Sequence, residues 1–376
     1  MGWERPIWFA PEGIAPKIEY SFGCQNWFPY AAEEHRLARE AAALFDQTSF
    51  SKYVLQGRDA ETVMQRLCAN DVAVDEGRLI YTGMLNARGG YESDLTVTRL
   101  SEDTYFIVTG TAQTTRDADW IRRNMDSGIR ATLTDVTSAF AVIGIMGPNS
   151  RDLLGTLTTA DLSNDAFPFG TSKEIGIRYA AVWANRITYV GELGWELYIP
   201  VECAVSVYTA LMEAGAAFGL HLAGYYAIDS LRLKKGYRAW GADLTPDYTP
   251  YEAGLGFAVK LDKGDDFIGR DALLRQKETG ITRRLVQFTI DDPHAIAWGK
   301  ELILCNGEPA GEVSSAAYGH TLGCAVAMGY VNNAHGLADR DYIESGRYEI
   351  DIAGERFAAT PHLRPAYDPK GERFRA

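Results

Sequence analysis

The sequence is poor in the features that mark several large protein classes. Only five cysteines occur in 376 residues, at Cys24, Cys68, Cys203, Cys305 and Cys324. They are odd in number, widely scattered and free of any CxxC pair or Cys/His cluster. That excludes the spacing of a zinc site and predicts reduced thiols in a cytoplasmic protein. The six histidines stand in unrelated contexts without metal-ligand spacing, so no metal is expected. No run approaches the roughly 20 apolar residues that a bilayer-spanning helix needs. The opening residues, MGWERPIWFAPEG, lack the apolar core of a signal peptide. Pro6 occupies the Ser/Thr position that a myristoylation motif would require after Gly2. Basic residues are in deficit, with 37 Lys and Arg against 50 Asp and Glu and a formal net charge of −13. Such a field repels phosphate backbones and anionic lipid, so neither nucleic acid nor a membrane is expected as a partner. It still leaves room for a local basic pocket that holds an anionic cofactor tail. Two catalytic signatures are missing as well. There is no GxSxG nucleophile elbow, and GLGFAVK, starting at Gly254, lacks the third glycine of a dinucleotide fingerprint.

What is present is an ordinary globular composition, 46% hydrophobic and 23% charged, on a chain too long for one comfortable core. Residues 1–30 are aromatic and rich in Pro and Gly, and are expected to drape over a surface. Residues 31–45, AAEEHRLAREAAALF, read as a helix with Leu37, Ala41 and Leu44 on one stripe. From about residue 281 the texture changes to short β runs and tight turns. LILCNGEPAGEV carries Asn306-Gly307, the strongest short hairpin signal, and YEIDIAGERFAAT reads as a second hairpin around Ala353-Gly354. A small all-β domain over 281–376 follows. DLTPDYTPYEAGLGFAV, Asp243 to Val259, reads as a long ordered loop, a kind of segment that is often functional.

The first two thirds contain a repeat. Setting Gly57 of VLQGRDAETVMQRL on Gly147 of GIMGPNSRDLLGTL aligns Ala60 with Ser150, Val63 with Leu153, Met64 with Leu154 and Leu67 with Leu157. Both segments read as a strand, a glycine turn and an amphipathic helix. Downstream, ESDLTV is laid over GWELYI, so that Asp94 falls on Glu196. Asp is a poor strand former, and its plainest place in GGYESDLTV is the wet face beside Thr96. Two acids at matching places in two related units favour instead a shared interface, where ligand pockets form. With Tyr81, Tyr189 and Tyr237 they suit a flat heterocycle, whose paired N–H groups a carboxylate accepts while aromatic rings cover its faces.

The motifs FDQTSFSKYVLQG, LCANDV, YTGMLNARGGYESDLTVTRL, IMGPNSR, RITYVGELGWELYIP, DSLRLKKGYRAWGADLTPDYTPYEAGLGFAVKLDKGDDFIGR and GCAVAMGYV run through nearly the whole chain. Together they resemble the glycine cleavage T-protein (aminomethyltransferase) family. They are closer still to the folate-binding C-terminal part of dimethylglycine and sarcosine dehydrogenases. The resemblance implies an α+β, three-domain cloverleaf-like T-protein fold with two related β-rich units and a C-terminal all-β domain. Residues 1–280 would form the folate-binding region, with about 46–135 inserted between 1–45 and 136–280, and 281–376 a β-barrel-like domain. It implies tetrahydrofolate in a central hole, Asp94 as the catalytic acid beside the carbon-accepting nitrogens, Glu196 gripping the pterin's amino edge, and Tyr81, Tyr189 and Tyr237 lining the site. Two departures stand out. Ile228 replaces the Arg that T-proteins carry before an aspartate, and Lys234 stands where many relatives have Glu, which suggests an altered amine or lipoyl-arm contact.

The resulting expectation is a tetrahydrofolate-dependent one-carbon transferase that takes a methyl or methylene group from a small methylated compound such as an N-methyl amine. The flavin domain of the dehydrogenases is missing, and GWERPIWFAP resembles the segment that joins it to the folate part. An alternative is therefore a folate-binding subunit that works only with a separate flavin-containing dehydrogenase subunit. A demethylase of a methyl sulfonium or methoxy substrate is another. A folate-binding regulatory or repair protein is disfavoured by the full set of tyrosines and acids.

Overall fold

The computed structural model describes residues 2–376. After an irregular N-terminal segment, α1 (Phe28–Glu40) leads into β1 (Ala42–Asp46). The chain then builds a five-stranded sheet from β2 (Ser51–Gln56), β3 (Leu79–Leu85), β4 (Tyr91–Ser101), β5 (Thr104–Thr109) and β6 (Thr132–Asp135), with α2 (Ala60–Leu67) and α3 (Thr114–Arg123). A second sheet joins β1 to β7 (Phe140–Met146), β8 (Ser172–Ile177), β9 (Ala180–Asn185), β10 (Gly194–Pro200) and β11 (Leu220–Leu222), with α4 (Ser150–Gly155) and α5 (Ala204–Gly215). Next come α6 (Tyr225–Lys234), a long ordered segment, and α7 (Arg270–Thr279). The closing unit is a six-stranded closed barrel of β12 (Arg283–Ile290), β13 (Leu302–Cys305), β14 (Glu308–Gly319), β15 (Cys324–Asn332), β16 (Tyr348–Ile352) and β17 (Glu355–His362).

Alternation on the strands builds four layers. In the first unit Leu95, Val97, Tyr105 and Ile107 pack on Val63, Met64, Leu67 and Ile121 of the helices. In the second, Trp195, Leu197 and Ile199 pack on Leu153, Leu154, Val207 and Leu211. The opposite faces of the two sheets meet each other through Phe106, Val108, Val142 and Tyr198. Edge-on rings seal this seam, Phe106 lying 5.2 Å from Tyr198 and 5.3 Å from Trp183. In the barrel, Asn306-Gly307 and Ala353-Gly354 are two-residue loops with positive φ throughout, as the sequence predicts.

The helix expected over 31–45 ends early. Residues 42–46 form β1, flanked by β7 and β11, with Ala42, Ala43, Leu44 and Phe45 all buried. A strand covered on both faces loses its alternation, so periodicity does not separate it from a buried helix.

The repeat is real, with one change of partner. Gly57 and Gly147 both end a strand at strongly positive φ, +139° and +132°. At each, a Cβ would run into the backbone of a neighbouring edge, Arg130 O in one unit and Ala41 O in the other, so no other residue fits. Their N–H groups donate to Asp103 O (2.9 Å) and Leu193 O (2.8 Å). The strand orders β6-β2-β5-β4-β3 and β1-β7-β10-β9-β8 then superpose. Val54 pairs with Phe106 as Gly144 pairs with Glu196, and Thr98 pairs with Phe106 as Asn185 pairs with Glu196. The counterpart of Glu196 is therefore Phe106, and that of Asp94 is Ala181. The expected match of Asp94 with Glu196 is corrected: both face the space between the sheets, but from non-equivalent strands.

Candidate active site

The site grows from the β3–β4 pair. Tyr81 opposes Thr96 and Gly83 opposes Asp94, so Tyr81, Asp94 and Thr96 share the face that looks away from the helices. A register shift at Met84/Leu85 brings Tyr91 onto this same face. Its ring lies over Gly83, where a Cβ would stand 2.5 Å from Tyr91 Cε1. The Tyr81 hydroxyl donates to Asp94 Oδ2 at 3.2 Å. Asp94 is surrounded by protein yet keeps some accessible surface. Burial raises its pKa from 3.8 to about 6; the Tyr81 hydrogen bond opposes the rise and the charge of Asp243 adds to it.

The loop between β9 and β10 supplies Tyr189, which stacks on Tyr237 with centroids 6.0 Å apart and planes 13° from parallel. Its hydroxyl donates to Arg238 O at 2.7 Å. The charges of Asp94 and Asp243 both reach Tyr189, whose proton affinity burial raises first and most. The floor is held by Asp243, fully buried, which accepts from Arg232 Nη1 (2.8 Å), the Ala239 N–H (2.9 Å), Ser315 Oγ (2.8 Å) and Ser314 Oγ. These bonds tie α6, the segment after it and the barrel into one support. Phe257, largely exposed, stands over Tyr81 at 6.3 Å at the mouth.

Tyr81, Asp94, Tyr189 and Tyr237 thus form one neighbourhood. Glu196 is not bonded to them. It lies in the inter-sheet seam, 8% exposed, where the Tyr198 hydroxyl donates to Oε2 at 2.8 Å and Gln47 lies alongside. Burial raises its pKa above the ordinary carboxylate range. Gln47 Oε1 and Asn185 Nδ2, on the same seam, are buried without partners among the described residues. A buried carboxylate without a cation, beside an orphaned acceptor and an orphaned donor, is the chemistry that a ligand edge of mixed N–H and carbonyl groups satisfies.

Tyr91, Arg238 and Asp243 are absent from the sequence-derived set. Tyr91 depends on a bulge that leaves no local signal, and the other two lie inside a quoted motif without a pattern to single them out. Lys234 is not at the site. It is fully buried between α1, α6 and the barrel, its Nζ contacting His35 Nε2 and donating to Thr321 Oγ1 at 2.6 Å. Burial, with Arg39 nearby, lowers its pKa from 10.5 to about 5. Its expected role in an amine or lipoyl-arm contact is therefore withdrawn. Ile228, too, is a core residue, packed with Phe45 and Val190.

Residues 1–263 match the GCVT N-terminal domain, and residues 283–368 match the glycine cleavage T-protein C-terminal barrel domain. The chain belongs to the glycine cleavage T-protein family. This is a family of folate-dependent enzymes of the aminomethyltransferase type. The aminomethyltransferase of Halothermothrix orenii is 37% identical over 300 residues, 80% of this chain and 82% of that one. The 4-methylaminobutanoate oxidase (formaldehyde-forming) of Paenarthrobacter nicotinovorans is 41% identical over 374 residues. Human mitochondrial sarcosine dehydrogenase is 40% identical over 413 residues. Both matches cover 100% of this chain but only 44% and 45% of the relatives, so the chain spans less than half their length. Among solved structures, aminomethyltransferase T from Bartonella henselae superposes with a TM-score of 0.81 over 96% of both chains at 24% identity. The α+β fold of two related β units and a terminal barrel is the T-protein fold.

Proposed function

We propose that this T-protein family member transfers a one-carbon unit between a small methylated amine and tetrahydrofolate. The observation that carries the reading is Asp94: a carboxyl enclosed between the sheets, bonded by Tyr81 and with its charge reaching Tyr91 and Tyr189, its proton affinity raised into the range a proton carrier needs near neutral pH. When bound, tetrahydrofolate supplies the nitrogen nucleophile that takes the carbon. Glu196, Gln47 and Asn185 would hold its polar edge, and the Tyr189–Tyr237 stack would cover a ring face. Asp94 takes or returns a proton at the reacting nitrogen, and Tyr81 fixes the carboxyl's orientation. The walls exclude water, so two small reactants meet in one orientation.

A unit at the oxidation level of formaldehyde requires a donor that has already lost two electrons. The relatives named oxidase and dehydrogenase are more than twice as long as this chain. They support a second element of the reading, that a flavin-containing dehydrogenase delivers the oxidised donor.

The Asp94→Asn variant tests the proposal with tetrahydrofolate and an N-methyl amine that an added flavin-containing dehydrogenase oxidises by two electrons to the iminium. Transfer should fall by about 10²–10⁴-fold while tetrahydrofolate binding persists. A wild-type rate in this variant would remove Asp94 from the chemistry.

A further inference from the structure

A small cavity of about 50 Å³ lies where the end of α6 meets the barrel, lined by Gly236, Arg238, Gln287, His362, Arg364 and Pro365 among others. None of its lining residues is acidic, although the chain carries 13 net negative charges. Arg238 donates from Nε (3.0 Å) and Nη2 (2.7 Å) to Ala253 O, and from Nη1 to Gly236 O. Its partners are thus main-chain carbonyls, which orient the guanidinium without neutralising it. Arg364 is exposed and has no hydrogen-bond or ion-pair partner among the described residues. Gln287 is spoken for on both ends, donating to Leu233 O (2.5 Å) and accepting from the Ala366 N–H (2.7 Å). Arg238 also connects the cavity to the active site, because its charge reaches the hydroxyls of Tyr81, Tyr91 and Tyr330.

The space holds one or two water-sized groups, too little for a ring system and enough for a carboxylate. Two guanidiniums without a counter-charge recognise that group by paired N–H donors. We propose that Arg238 and Arg364 form a carboxylate-binding subsite at the rim of the active site. This deepens the folate reading and rests on it. Two sources share the chemistry: the glutamyl tail of tetrahydrofolate, or the carboxylate of an N-methyl amino acid donor.

The Arg364→Gln variant distinguishes them, since Arg364 is exposed and its loss leaves the core intact. Binding is titrated for tetrahydrofolate, for 6-methyltetrahydropterin (which has no carboxylate), for N-methylglycine and for glutarate. If the tail is the ligand, the variant binds tetrahydrofolate roughly threefold to fivefold more weakly and the pterin unchanged, as expected for one exposed charge-assisted contact. If the donor is the ligand, tetrahydrofolate is unaffected and N-methylglycine weakens by a similar factor. Either result supports the subsite, and loss of glutarate-induced thermal stabilisation supports it independently. Equal binding of all four ligands by both proteins overturns it. A wild type that binds neither pterin compound refutes the folate reading instead, and the glutarate arm still decides the subsite.

Discussion

Replacing Lys234 with Met should stabilise the protein, and the gain should depend on pH. The Nζ has His35 Nε2 and Thr321 Oγ1 as partners and, among the described residues, no carboxylate. Ser230 Oγ gives its one proton to Tyr318 O (2.5 Å), so His35 Nδ1 must donate to Ser230 at 2.9 Å. His35 Nε2 is then an acceptor for the amine. A neutral lysine, with two N–H donors, satisfies this arrangement. The folded pKa of about 5 lies far below the 10.5 of the free side chain. Between those values the unfolded chain binds one proton more, so stability rises with pH across the window. The cost of neutrality near pH 7.5 depends only on the unfolded value: about 3 pH units at about 1.4 kcal/mol each, or about 4 kcal/mol. Met removes that cost and forfeits two hydrogen bonds worth about 1 kcal/mol each. His35 Nε2 and Thr321 Oγ1 remain 2.8 Å apart and pair with each other. The variant should gain about 2 kcal/mol near pH 7.5, with the advantage shrinking by about 1.4 kcal/mol per pH unit and vanishing near pH 9. Urea denaturation of both proteins in steps from about pH 6 to about pH 9 reads the difference directly. A gap that does not change with pH, or a variant several kcal/mol less stable throughout, would show that Lys234 is charged in the fold and refute the reasoning.

Asp94 carries a related signature. Its raised pKa means that ionising it in the fold costs stability, a loss that sets in as pH rises from 3.8 to about 6. The Asp94→Asn variant should therefore be more stable above pH 6 by up to about 3 kcal/mol, and equal to wild type at acid pH, by chemical denaturation. Its wild-type counterpart should lose transfer rate as pH falls through about 6, as a carboxylate base with that pKa requires. Tetrahydrofolate should raise the melting temperature of the wild type, and Glu196→Gln should weaken that shift because an amide replaces a charge-assisted acceptor. An unchanged shift would take Glu196 out of the ligand site. Gly147→Ala should cost several kcal/mol or abolish folding, since the new Cβ would stand 2.5 Å from Ala41 O at a φ of +132°. A midpoint within about 0.5 kcal/mol of wild type would mean that the β1–β7 corner relaxes freely.

Much of this molecule is written in short-range pattern. The glycine–helix unit recurs because Gly57 and Gly147 each admit a neighbouring backbone that no side chain tolerates. The barrel hairpins at Asn306-Gly307 and Ala353-Gly354 need only the two residues that accept positive φ. The motifs around Asp94, Glu196 and Tyr237 are long enough to specify the family and hence the fold. What remained depends on which elements lie side by side. Residues 42–46 became a strand because both of their faces are covered, a condition no single segment records. Asp94 and Glu196 look alike in one dimension, but strand order pairs Glu196 with Phe106 as its counterpart. A bulge brings Tyr91 over Gly83, and a core of three converging elements lowers the proton affinity of Lys234. Arg238 and Arg364, 126 positions apart, share a cavity only because the barrel closes against α6. Local sequence sets the period and the turn, whereas proximity between distant segments is a property of packing. The chemistry of this site, the proton affinity of Asp94 above all, belongs to packing.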